Sequence, residues 1–132
     1  MTLRSVVRAA LVVALLATQA PAADLDALKD TTPAERAKAQ TAMMREKLGL
    51  TEAEAAKVGP INMKYAERME PIIKGSEGPL KRMEAVRTVE QAKEAELKGV
   101  LTADQFTKFE ADKQEMMEKL ADHIREDRAK GK

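Results

Sequence analysis

Three threonines in this chain open a helical stretch with a glutamate or glutamine three residues on: Thr32 and Glu35, Thr51 and Glu54, Thr102 and Gln105. In that arrangement the hydroxyl accepts the backbone N–H three residues on. The longer side chain reaches back to the threonine N–H, so a helix start is satisfied from both directions. Glycines supply the matching stops: Gly49 and Gly99 follow the helical stretches ahead of the second and third starts, and Gly49 can take the left-handed cap conformation. Between them, Lys74-Gly75-Ser76-Glu77-Gly78-Pro79 is the strongest break in the chain and reads as a turn between two halves.

These punctuation marks predict four helices. The first runs from Pro33 to about Leu48, lined weakly by Ala37, Met43 or Met44, and Leu48. The second follows Thr51 and carries Val58, Ile61, Tyr65, Met69 and Ile72 at helical spacing. Gly59-Pro60 lies inside it and predicts a kink or a short break, and Pro71 repeats the disturbance near its end. The third runs from Pro79 to about Lys98, with Leu80, Met83, Val86 or Arg87, Glu90 and Leu97 on its inner side and Lys93 close to that stripe. The fourth follows Thr102 with Phe106, Phe109, Met116 or Met117, Leu120 and Ile124, Lys113 filling one turn. Asp104–Lys108 and Glu115–Lys119 are correctly ordered i,i+4 ion pairs. No alternating strand segment occurs, so the expected fold is all-α, an antiparallel helical hairpin or bundle of about four helices.

The first 22 residues stand apart. Arg4 and Arg8 precede an apolar run, Ala9 to Ala17, and the small residues Ala20-Pro21-Ala22 follow. This is the layout of a secretory signal peptide cleaved after Ala22, with cleavage after Ala20 or Ala23 also fitting. The run is too short to span a membrane, so the mature chain is expected not to be membrane-spanning. An uncleaved amphipathic anchor is the alternative. Residues 23–31 are expected to be a flexible N-terminus, 32–125 the helical domain and 126–132 a charged flexible tail. Loss of the signal lowers the 23 basic residues to 21 against 22 acidic, a net charge of −1. A near-neutral exported domain with interspersed charge argues against nucleic acid as a partner. There is no cysteine, and the apolar supply is soft: seven mature methionines, two phenylalanines, one tyrosine and no tryptophan. With so modest a core supply a homodimer is expected, since self-association buries further apolar area.

Two helix starts repeat at an offset of 51 residues. Leu50-Thr51-Glu52-Ala53-Glu54 aligns with Leu101-Thr102-Ala103-Asp104-Gln105, and the register continues through Tyr65 with Met116 and Met69 with Leu120. Such starts are common and coincidence is the alternative, but the continued register favours a duplicated helix–turn–helix unit. With the export signal and the helical mature chain, these motifs resemble the LTxxQ family of small periplasmic proteins, the group containing the Spy and CpxP envelope-stress proteins. The second copy matches the motif in full and the first has Glu54 in place of glutamine. The resemblance implies a curved hairpin that dimerises into a cradle, with chaperone, stress-modulating or metal-related roles and no resident cofactor. The neutral mature charge departs from the basic concave face of the chaperone members.

The functional expectation is a periplasmic binding module, chaperone-like or modulating a stress response. It would meet unfolded periplasmic proteins or an envelope sensor through a soft surface supplied by Met43, Met44, Met63, Met116 and Met117. The alternatives are a metal-resistance or metal-sensing protein that uses methionine for a soft ion such as Cu(I), and a structural or signalling partner of an envelope protein. No specific metal ligand set is assigned: His123 is the single histidine, beside Asp122, Glu126 and Asp127. Ser76 is the one serine outside the signal, and no oriented base stands near it in sequence, so a catalytic site is not expected.

Overall fold

A computed structural model describes residues 25–131, and the expected signal peptide lies outside them. The described chain is an all-α four-helix bundle: α1 Pro33–Leu48, α2 Glu52–Lys74, α3 Pro79–Lys98 and α4 Ala103–Ala129. All three capping boxes form. Thr32, Thr51 and Thr102 each accept the N–H three residues on, at 3.1, 3.1 and 3.2 Å. Their own N–H groups donate to Glu35, Glu54 and Gln105. Gly49 ends α1 at φ 63°, the left-handed conformation its position requires. Gly75 ends α2 where a side chain would not fit: a Cβ there would lie 2.7 Å from the Pro71 carbonyl oxygen.

α2 is continuous through Pro60 and Pro71, so of the expected kink or short break at Gly59-Pro60 the break does not occur. Each proline deprives one carbonyl, that of Ala56 or Glu67, of its helical donor. Both prolines and both of those residues are exposed, so water can replace the missing donor.

α1 is packed between α2 and α4, while α3 packs mainly on α2. α3 and α4 are joined by a tight turn but touch only sparingly. Because α1 is covered from two sides, adjacent Met43 and Met44 are both buried, where a single packed face would have admitted only one. Val58, Tyr65 and Met69 of α2 are buried as expected, Ile61 and Ile72 are half-buried against the core, and Asn62 and Ile73 are buried more deeply beside them. Asn62 is enclosed, its amide donating to Thr41 Oγ1 at 2.9 Å and to Met44 Sδ at 3.5 Å. On α4, Phe109, Met116, Leu120 and Ile124 form the buried stripe. Each full burial of such a side chain contributes roughly 1.5–3 kcal/mol.

Both ends are more ordered than the sequence suggested. Leu25 and Asp26 are helical, residues 27–30 form a turn, and Leu28 packs into the core cluster. α4 continues to Ala129, where Arg128 Nε meets Glu35 Oε2 at 2.6 Å and Arg128 Nη2 donates to the Asp30 carbonyl at 2.8 Å. One side chain near the C-terminus thus fastens the segments expected to be loose at both ends. Of the expected surface ion pairs, Glu115–Lys119 forms at 2.6 Å, whereas Lys108 pairs with Asp112 and not with Asp104.

Candidate ligand-binding cleft

The sparse contact between α3 and α4 leaves a cleft of about 310 Å³. Its floor comes from α1 and α2 through Gln40, Tyr65, Ala66 and Met69, and its walls from Val86 of α3 and Met117 of α4. Leu28 of the N-terminal turn also lines it, so ordering of residues 25–30 helps to build the site. Most of the exposed lining surface is apolar, although seven of the twenty lining residues carry charge.

Four cationic side chains line it, and three have acidic partners. Arg36, 2% exposed, is paired with Glu70, and its Nη1 donates to the Thr31 carbonyl and hydroxyl at 2.9 Å each. Burial pushes the Glu70 carboxyl up, but hydrogen bonds from Arg36 and Lys74 outweigh it, and the carboxyl titrates below its ordinary value. Lys113 bridges the two walls, 2.8 Å from Glu94 of α3 and 2.9 Å from Glu110 of its own helix. Burial pulls the Lys113 ammonium down, but hydrogen bonds to these carboxylates outweigh it, leaving it above the usual lysine value. Arg82 lies 3.6 Å from Asp26 and donates to the Ile73 carbonyl at 3.3 Å.

Lys93 is the exception. It is 5% exposed, and its Nζ reaches Gln40 Oε1 at 3.4 Å. Among the described residues no carboxylate lies within 4 Å of it. It lines both the cleft and a small adjoining cavity of about 30 Å³ bounded by Met44, Phe109 and Met116. The sequence held a signal for this position. Lys93 falls three residues after Glu90 and four before Leu97, on the inner stripe of α3.

The sequence-expected residues divide. Met117 is half-buried and lines the cleft, whereas Met43, Met44 and Met116 are core residues and offer little surface. Met63 is half-buried on α2 and is not among the cleft residues. Met83, 39% exposed, joins Met117 as an accessible methionine of the cleft. The motif residues Leu50, Thr51, Glu54, Leu101, Thr102 and Gln105 are brought together away from the cleft: Gln105 Nε2 donates to Glu54 Oε1 at 3.1 Å, joining corresponding positions of the two repeats. That contact and the Thr51 N–H hold the Glu54 carboxyl below its ordinary value, with the backbone hydrogen bond the larger cause. His123 Nε2 lies 3.6 Å from Asp127 Oδ2, and no group of three or more potential metal-ligating His, Cys, Asp or Glu residues occurs among the described residues. No helix among them is long and apolar enough to cross a membrane.

The described residues form an all-α four-helix domain with a cleft, apolar over most of its surface, between α3 and α4. The chain belongs to the family described as Domain of unknown function (DUF4890), which matches residues 22–109. No curated protein and no solved structure matches it.

Proposed function

We propose that the mature chain is an exported, chaperone-like binding module that holds partly apolar segments of unfolded periplasmic proteins in the cleft between α3 and α4. The observation carrying this reading is the cleft itself, open between two helices that scarcely touch and edged by the accessible methionines Met83 and Met117. Thioether side chains adapt to ligands of varied shape at little cost, which suits a site with many clients. Export is part of the proposal and rests on the signal-like residues 1–22. The resemblance to the LTxxQ proteins supports the same reading.

The test is suppression of client aggregation. Wild-type protein at near-stoichiometric ratio should slow light scattering by chemically unfolded clients, and Met117→Lys should reduce that protection severalfold while leaving the helical circular-dichroism signal unchanged. Absence of protection across several unrelated clients would overturn the proposal.

A further inference from the structure

We propose that the same cleft is also a site for a single-chain monocarboxylate amphiphile, of the medium-chain fatty-acid class, with the carboxylate bound by Lys93. The inference uses the cleft described above but does not depend on protein clients.

The chemistry starts with the ammonium. It carries three donors, and the one hydrogen bond it makes here is the long contact to Gln40. A charge withdrawn from water without an opposite charge is costly, and a carboxylate delivered by a ligand removes that cost. The other cations of the cleft already have acids: Arg36 has Glu70, Lys113 has Glu94 and Glu110, and Arg82 has Asp26. Lys93 is therefore the cation of the cleft left for an incoming anion, among the described residues.

The surroundings define the rest of the ligand. Tyr65, Met69, Ile73, Val86 and Met117 give an apolar path for an unbranched chain. The volume of about 310 Å³ is at the lower end of the range for small-molecule sites, roughly 300–1,000 Å³. Charge selects a single negative group over a phosphate dianion, because Glu90, Glu94 and Glu118 also line the cleft and would repel a second charge. Glu90 is half-buried one helical turn before Lys93 and is the natural competitor for it.

The experiment is calorimetric titration of the full mature chain with dodecanoate and, separately, dodecanol, which has the same chain length without the charge. Wild-type protein should bind dodecanoate about tenfold more tightly than dodecanol, the scale of one charged hydrogen-bonded contact. Lys93→Met should abolish that preference while keeping dodecanol affinity within about twofold, and Lys93→Arg should retain it. Glu90→Gln should tighten dodecanoate binding severalfold and leave dodecanol unchanged, which gives an independent reading should Lys93→Met fail to fold. No saturable dodecanoate binding below its micelle concentration, a preference that survives Lys93→Met, or a Glu90→Gln variant with unchanged or weaker dodecanoate affinity would each overturn the proposal. Dodecanoate binding without client protection would remove the client reading alone, and protection without dodecanoate binding would remove this one alone.

Discussion

α1 and α3 have similar lengths, 16 and 20 residues, and similar amphipathic patterns, yet they occupy opposite situations. α1 is pressed between α2 and α4 and buries Arg36, Ala37, Ala39, Met43, Met44 and Leu48. α3 rests on α2 and fully buries Lys93 and Leu97 alone, leaving Leu80 83% exposed. The small and flexible side chains of α1 allow neighbours to approach on two faces. α3 interrupts its stripe with Glu90 and Lys93, and long charged side chains keep α4 at a distance. Burial and open surface are thereby separated: α1, α2 and α4 carry most of the buried residues, and α3 is an edge whose inward face lines the cleft.

The largest test of this contrast is truncation on either side of it. Leu120→Ala, at a fully enclosed site on α4, should cost about 2–5 kcal/mol in urea denaturation, from lost transfer energy and the cavity left behind. Leu80→Ala should change stability by less than about 0.5 kcal/mol. A Leu80→Ala loss comparable to that of Leu120→Ala, and growing with protein concentration, would mean that a second copy covers α3 in solution, and the contrast would then describe half of a dimer.

Much of this organisation is legible in the residues, because capping boxes and glycine stops are local signals read without knowledge of packing. Thr32, Thr51 and Thr102 place the helix starts, and Gly49, Gly75 and Gly99 follow the ends. What escapes is whatever depends on how many neighbours a helix has. Periodicity describes one face, so it admits Met43 or Met44 and cannot know that α1 is covered twice. It also assigns Leu80 to an interior that α4 does not close. The expected methionine surface shrinks for the same reason, with Met43, Met44 and Met116 absorbed by the core. No local signal marks Arg36 or Asn62 for burial, and partners at long range, Glu70 and Thr41, make each a buried structural group. The N-terminal turn is illegible because Arg82 and Arg128, which hold Asp26 and Asp30, lie far along the chain.

Removing Arg36 should give the next largest effect, and it probes how the packed unit holds the cleft. Arg36→Met takes the partner from Glu70 and from the Thr31 carbonyl, at a cost of about 2–3 kcal/mol. Amide exchange should accelerate most in residues 25–31, which the guanidinium ties to α1. Uniform acceleration throughout the bundle would show that the N-terminal turn is held by Leu28 packing instead. Lys113→Met is smaller because the side chain is 40% exposed; a loss below about 1 kcal/mol is expected. Its diagnostic effect is that α3 amides near Glu94 exchange faster while those of α1 do not, since Lys113 is the ion pair that spans the loosely packed pair of helices.

The smallest effect concerns the pair that closes the packed unit at its chain ends. The hydrogen bond from Arg128, together with those from Thr32, brings the Glu35 carboxyl from an ordinary 4.5 down to about 2, against an opposing contribution from burial. A carboxyl whose folded value is depressed stabilises the fold above its unfolded value and loses that contribution as pH falls through the folded one. The Glu35 contribution should therefore be complete above about pH 4.5 and vanish towards pH 2. Both side chains are partly exposed, 30% for Glu35 and 42% for Arg128, so solvent screening holds the contribution below about 1 kcal/mol. Other depressed carboxyls, Glu70 among them, make the whole protein less stable in acid, so the measurement is the difference between wild type and Glu35→Gln. That difference in thermal midpoint should be present at pH 7, shrink steadily below pH 4.5 and disappear near pH 2. A difference independent of pH would assign the role of Glu35 to its capping of Thr32, which glutamine preserves only in part, and would free the end of α4 from the packed unit.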